Sequence, residues 1–455
     1  MKSMKKLVLA GLVLLASVMT LAGCKNDSVP ETPKYTVRKL TSLSIIPPTR
    51  TVYAAGDEFD STGMVVTAKY DDGETREVNT WTTDFDEITS KHGLEKTVTV
   101  SYSEGEITQS TTFTVVVFPE DVKVLTDYKS PNHTDDTWTY VAFGEWPQTK
   151  ANVEGISLQQ VDGGRGYFKD NYYTDGKGNY YVKVTANPYE NTYKYSDETV
   201  VTEDSEVYFK VEPIVWRVLT DNYLVPGENG TKIASGNALL LAENILTGGI
   251  PYYVDKVTRT ITGEGTKEEE SDTVYPNNYK YSTIRAWLNG SYETDDTQEK
   301  NYEGKGFLQT AFTDEALKCI AETTVDNTAR STNPDSNASQ RNGGDNPYAC
   351  GNTEDKIFLL SEQEASTEGY GFAAYDAGGE DNTRIRVTTD YAKATGAFQA
   401  STAGYGGVWW LRSPEYSSDD SVCDIYVHGY AMDAANVGFN DLGVVPALSI
   451  SMNGN

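Results

Sequence analysis

Cysteine and histidine are scarce in this sequence: 455 residues carry 4 Cys (Cys24, Cys319, Cys350, Cys423) and 3 His. That excludes a disulfide-stapled scaffold and leaves little material for a zinc centre. Positive charge is short as well. With 38 Lys and Arg against 67 Asp and Glu, the formal charge is −29, so the field of the chain repels a phosphate backbone and excludes nucleic acid as a partner. Apolar residues make up 38% and the mean hydropathy is −0.50, which excludes a multi-span membrane protein. Catalytic signatures are missing too: the chain has no H-E-x-x-H, G-x-S-x-G, P-loop or complete G-x-G-x-x-G, and Gly263-Glu-Gly265 lacks its third glycine and a flanking strand. Carboxylates are so abundant that no acid/base pair stands out. Asp71-Asp72-Gly73 lacks the alternating ligands and distal Glu of a calcium loop and reads as a hairpin turn. No catalytic residue, metal or cofactor is assigned.

What is present begins with tyrosine, 31 residues against 13 Phe, an excess that suits contact surfaces, where the ring adds area and the hydroxyl stays wet. Length predicts two or more domains. At the N-terminus, Lys2, Lys5 and Lys6 precede an apolar run from Leu7 to Leu21, the pattern of a secretory signal peptide over 1–23. The run ends in Leu21-Ala22-Gly23-Cys24, which resembles the lipobox of bacterial lipoproteins; the resemblance implies that Cys24 is diacylated and becomes the first mature residue. The competing reading, a short transmembrane anchor with an incidental Cys, falls short on length. Loss of residues 1–23, with three lysines and no acidic residue, takes the formal charge from −29 to −32, so acyl chains rather than electrostatics must supply the anchoring. The expected location is across the inner membrane, lipid-anchored, at the outer membrane or cell surface. Residues 24–39 are polar, contain two prolines and read as a tether.

From 40 to 118 the pattern alternates with period 2: Met64, Val66, Ala68 and Tyr70 on one face, Thr67 and Lys69 on the other, followed by the Asp71-Asp72-Gly73 turn. Similar strands follow at Val98-Val100-Tyr102 and Phe113-Val115-Val117. Together with Leu43-Ser-Ile-Ile-Pro-Pro and Tyr53-Ala-Ala-Gly-Asp-Glu-Phe-Asp, this segment resembles the bacterial immunoglobulin-like repeats of surface proteins. The resemblance implies a β-sandwich spacer without catalytic residues, with Trp81 and Phe113 in its core. Residues 119–137 read as an acidic linker in which His133 is solvated.

Beyond Trp138, short strands mix with a few helices. One helix is expected from Ser282, its cap, to Gly290, its stop, with Ile284, Trp287 and Leu288 facing inward. Another is expected to start at Thr313 and bury Ala316, Leu317 and Ile320, and Ser361-Glu-Gln-Glu364 forms a capping box. Residues 260–274 and 327–352 are nearly devoid of apolar side chains and are expected to be exposed loops. Cys319 and Cys350 form a candidate disulfide pair, leaving Cys423 over.

The C-terminal third is more specific: Gly406-Gly-Val-Trp-Trp-Leu-Arg-Ser-Pro414, then Gly443-Val-Val-Pro-Ala-Leu-Ser-Ile450. With Phe143-Gly-Glu-Trp-Pro-Gln148, Glu212-Pro-Ile-Val-Trp-Arg-Val-Leu219, Ala238 to Leu246 and Ile284 to Gly290, it resembles bacterial surface domains of C-type-lectin-like fold. One branch of that group is the variable proteins of diversity-generating retroelements. The resemblance spans 138–452 and departs from many relatives at Val445, where they carry arginine. The fold class is therefore mainly β with an α+β C-terminal part: an immunoglobulin-like sandwich followed by a C-type-lectin-like domain.

Adenine mutagenesis of asparagine codons cannot reach Lys, Glu, Gln, Trp or Met. The segment 416–442 has no Lys, Glu, Gln or Trp, and Met432 alone falls outside the reachable set. Alternation around Ile425 and Val427 predicts that Asp424, Tyr426 and His428 point outward. The candidate contacts are Tyr416, Ser417, Ser418, Asp419, Asp424, Tyr426, His428, Tyr430, Asp433, Asn436, Phe439 and Asn440. The first reading is thus a surface lipoprotein binding an extracellular protein or glycan through a diversified face. The second is a fixed adhesin or structural protein with an ordinary C-terminal meander. The third, an enzyme on the same fold, is weakest: the formylglycine-generating oxidases that share it need closely placed reactive cysteines, and those here are scattered. Calcium-dependent sugar binding lacks a Glu-Pro-Asn-like or Trp-Asn-Asp-like motif.

Overall fold

The computed structural model describes residues 38–133, 138–228, 231–261, 273–293, 300–329, 331, 346–374, 381–431 and 433–453. The signal peptide, Cys24 and nearly all of the tether lie outside the described residues. Among the described residues no helix is long and apolar enough to cross a membrane.

The first core belongs to a sandwich. One sheet runs Leu40–Ile46, Val65–Tyr70, Thr75–Glu77; the facing sheet runs Val52–Ala54, Ile107–Phe118, Gly93–Glu104, Thr82–Thr83. Period-2 alternation does the sorting: Val66, Ala68 and Tyr70 are buried, and Met64 packs on the edge of the same core. The Asp71-Asp72-Gly73 turn closes as expected, with Gly73 at φ +88° and the Glu74 amide donating to Asp72 Oδ1 at 3.0 Å. Phe113 is buried, and Trp81 is partly buried, 6.0 Å from Phe59 between ring centroids.

The second core is built on a nine-stranded sheet whose main path is Gln159–Gln160, Tyr172–Thr174, Tyr180–Thr185, Glu206–Thr220, Asn237–Ala242, Ala447–Ser451, Ile357–Phe358. Its axis is Glu206–Thr220, long enough to pair with Tyr180–Thr185 through its first half and Asn237–Ala242 through its second, with Tyr140–Lys150 along its other edge. The apolar run Leu239-Leu240-Leu241 is fully buried between Glu206–Thr220 and Ala447–Ser451, as a central strand requires.

The expected helix forms over Thr283–Asn289. Ser282 caps it by accepting from the Arg285 amide, Gly290 ends it at φ +63°, and Ile284, Trp287 and Leu288 are buried. The second helix is shorter than expected, Ala316–Cys319, with Thr313 Oγ1 accepting from the Ala316 amide; four residues are too few to bury a full stripe, and Leu317 is only partly covered. The capping box is reciprocal, Ser361 N to Glu364 Oε2 at 2.8 Å and Glu364 N to Ser361 Oγ at 3.1 Å, but opens only a 3-10 turn, Glu364–Ser366.

Three expectations need correction. The 119–137 stretch is not a free linker: Val122 is fully buried and Lys123–Leu125 pairs with Tyr140–Lys150, because its apolar residues find the edge of the large sheet. The flanks of the 327–352 loop are anchored rather than exposed, since Asn327, Ser331 and Asn346 are buried and bonded; Asn327 Oδ1 accepts from Arg412 Nε and Asn346 Nδ2 donates to Pro414 O. The third concerns cysteine. Cys319, Cys350 and Cys423 are not in disulfides, Cys319 facing Asp121 and Cys423 facing Glu362, so the suggested pair does not form.

Candidate functional site

The segment 416–442 folds around a hairpin. Trp409–Pro414 pairs with Ser421–Ile425, which pairs with Asp433–Asn436. Trp409 and Trp410 are completely buried beneath it, Trp409 Nε1 donating to Arg384 O at 3.2 Å. The preceding Gly406-Gly407 has no room for a side chain: a Cβ would lie 2.3 Å from Arg386 O at the first position and 2.4 Å from Phe398 O at the second. These residues set a rigid base.

At one end of the hairpin a tight turn, with the Tyr426 amide donating to Tyr430 O at 2.9 Å, gathers aromatic rings. The His428 imidazole lies 5.4 Å from Tyr426, 5.9 Å from Tyr430 and 5.8 Å from Tyr405 between centroids, all three edge-on. Tyr426 is 40% exposed, and His428, Tyr430 and Tyr405 are half-buried. The turn is held from below: Arg384 Nη1 donates to Gly429 O at 3.1 Å, the Asp381 amide to His428 O at 3.1 Å, and the Gly406 amide to Val427 O at 2.8 Å. Polar-tipped rings on a fixed base make a contact surface with small ordering entropy.

The other candidates sit elsewhere. Tyr416, Ser417, Ser418, Asp419, Asn436, Phe439 and Asn440 cluster at the opposite end of the hairpin, separated from the tyrosine turn by a five-residue strand, roughly 13 Å. Several of them shape loops there: Asn436 Nδ2 donates to Asp420 Oδ2 at 2.8 Å, Ser418 Oγ to Asp420 Oδ1 at 2.6 Å, Ser417 Oγ to Glu415 Oε2 at 2.6 Å, and the Ser418 and Asp419 carbonyls accept from Asn277. Phe439 is 48% exposed, and Asn440, Asp419 and Ser417 are exposed. Asp433 pairs its backbone with Asp424. Asp424 itself is buried, at 2% exposure, which corrects the expectation that it points outward: the face it shares with Val422 packs toward the interior, while Tyr426 escapes because the strand ends at Ile425. Val445 is fully buried among apolar neighbours, a setting that accepts valine without a charged partner.

Sequence reasoning missed two features. Tyr405 completes the aromatic group from a glycine-rich loop that carries no periodic signal. The second is a buried charged cluster against the central strands of the large sheet. Arg217 and Glu243, both fully buried, are joined by Arg217 Nε to Glu243 Oε2 at 3.1 Å and Arg217 Nη2 to Glu243 Oε1 at 3.0 Å, with Arg386 and Asp381 close by. Burial pushes the Glu243 carboxyl up, but Arg386 and Arg217 outweigh it and hold the group below its ordinary range. Burial, then repulsion from Arg217, lowers Arg386 to about 9. The signal was a charge inside each apolar run, Val-Trp-Arg-Val and Leu-Leu-Ala-Glu. His133 belongs to this cluster with a side chain only 5% exposed, so it is not solvated. Among the described residues no group of three His, Cys, Asp or Glu could hold a metal ion.

Residues 46–117 match the family model of the bacterial Ig-like domain (group 3), and residues 235–452 match that of a domain of unknown function (DUF6273). No curated protein and no solved structure matches the chain. The mainly β chain thus joins a sandwich similar to bacterial Ig-like domains to a C-terminal segment similar to DUF6273, a combination that suggests a surface or adhesin-like protein.

Proposed function

We propose that this chain is a lipid-anchored surface protein that binds an extracellular protein or glycan through the tyrosine-lined turn at 426–430, with the sandwich as a spacer. The observation that carries the reading is the gathering of Tyr405, Tyr426 and Tyr430 around His428 over a base of buried tryptophans. The anchor rests on the Leu21-Ala-Gly-Cys24 sequence, and the C-type-lectin-like, retroelement-diversified character on the framework motifs and on the missing Lys, Glu, Gln and Trp of 416–442. The test is binding of the chain to arrays of glycans and of purified extracellular proteins, beside the Tyr426→Ala and Tyr430→Ala variants. A ligand retained equally by all three proteins places recognition elsewhere.

A second reading, a fixed adhesin, is favoured by the structural duties of Asp424, Asn436 and Ser418, positions that free diversification would break. A neighbouring reverse-transcriptase gene and a template repeat matching the codons for 409–450 separate the two.

A further inference from the structure

The segment between the two cores, Ser130 to His133, reaches into the buried charged cluster. Ser130 Oγ donates to Glu243 Oε1 at 2.5 Å, and Asn132 Nδ2 donates to Glu243 O at 2.7 Å and Oε1 at 3.1 Å. The Val387 amide donates back to Asn132 Oδ1 at 2.8 Å. His133 Nε2 contacts Arg217 Nη2 and lies 3.6 Å from Glu243 Oε1. Trp138 closes the outside, 5.3 Å from the His133 ring and 4.3 Å from the Arg217 guanidinium. These few residues fasten the chain leaving the sandwich to the interior of the large domain.

His133 Nε2 faces the Arg217 guanidinium inside an enclosed cluster that also holds Arg386. A guanidinium only donates, so this place suits a neutral imidazole with Nε2 accepting, and a protonated ring sets a further cation against Arg217. We propose that Ser130–His133 is an acid-released latch, closed while His133 is neutral and opened when its protonation removes that acceptor and adds a cation to the cluster. The charged groups facing His133 are Arg217 from Glu206–Thr220, Glu243 following Asn237–Ala242, and Arg386 and Asp381 from the 381–388 segment. Asp381 is already engaged by Arg384 at 3.3 Å, so three arginines face two carboxylates before His133 is protonated. Burial, then Arg217 and Arg386, holds the docked imidazole down to about 3, against 6.5 for a free histidine. The sign follows. Above 6.5 neither state gains a proton and the latch has full strength; below 6.5 the open state binds a proton that the closed state refuses, and docking weakens until about 3. The slope is one proton, about tenfold in the docking equilibrium per pH unit.

Amide hydrogen exchange of the full chain, corrected for the intrinsic pH dependence of exchange, reads the latch at the Val387 amide, with the central-strand amide of Leu240 as the control for global opening. Between pH 7.5 and pH 5, Val387 protection should fall about tenfold or more; Leu240 protection falls with it, because global opening also frees His133, but it stays above Val387 protection at every pH if the latch opens without the sheet. In His133→Gln, which has no titrating ring, Val387 protection should not change over that range. Equal protection of Val387 and Leu240 at every pH, which would mean that the segment opens only with the whole domain, or the same fall in His133→Gln as in the parent, overturns the proposal. So does loss of Val387 protection already at pH 7.5 in both His133→Gln and His133→Asn, since packing of the ring rather than its charge would then hold the segment.

Discussion

Arg217, in Glu206–Thr220, and Glu243, one residue past the end of the paired strand Asn237–Ala242, face each other with both side chains wholly shielded from water, joined by two hydrogen bonds of 3.1 and 3.0 Å. Glu243 also accepts from Ser130 and Asn132, so one carboxylate offsets the guanidinium and satisfies the incoming segment. Glu243→Ala leaves Arg217 and Arg386 without it. The expected destabilisation is about 3–5 kcal/mol, the range for breaking a buried pair by removing one partner. Denaturant melts of both proteins measure it; a loss under about 1 kcal/mol would mean that water reaches the cluster.

Gly429 has φ +80°, and a Cβ there would lie 1.9 Å from Asp381 O. Gly429→Ala therefore has to move backbone as well as adopt a strained conformation, costing more than about 1 kcal/mol and displacing the tyrosine turn. Thermal melting checks the first effect, and ligand capture the second. Gly73→Ala serves as a control, with a similar φ of +88° and open space around it, and should show only the conformational part.

Tyr426→Ala and Tyr430→Ala are expected to weaken ligand binding by about 1–3 kcal/mol each, with little change of melting midpoint for the exposed Tyr426 and a somewhat larger one for the half-buried Tyr430. Trp409→Ala, which empties a fully buried site, should cost about 3–5 kcal/mol of stability. Early melting of the tyrosine variants would mark the turn as a structural meander.

Cys24→Ala should leave an unacylated precursor, since no other cysteine follows an apolar run. Detergent-phase partitioning reports it: the parent partitions into detergent and the variant does not. Equal partitioning of the two after signal cleavage would remove the lipoprotein reading.

The sequence alone determined whatever depends on local repetition. Period-2 alternation identified Val66, Ala68 and Tyr70 as one buried face, and the Ser282 and Gly290 signals bounded the helix, because strand pleat and helix caps are set by a few neighbouring residues. The apolar Leu239-Leu240-Leu241 run and the Trp409-Trp410 pair likewise announced burial. Whatever depends on residues far apart in the chain was decided by the tertiary structure. Asp424 follows the outward phase of its strand only until the interior closes over it, and Tyr405 reaches the His428 ring from a distant loop whose Gly406 amide bonds to Val427 O. His133 sits in a polar stretch that reads as solvated, yet it is enclosed because residues 84 and 110 positions further along, Arg217 and Glu243, present a buried pair with hydrogen-bonding capacity to fill. A buried charge must find its partners wherever the fold puts them, and no local pattern encodes where that will be.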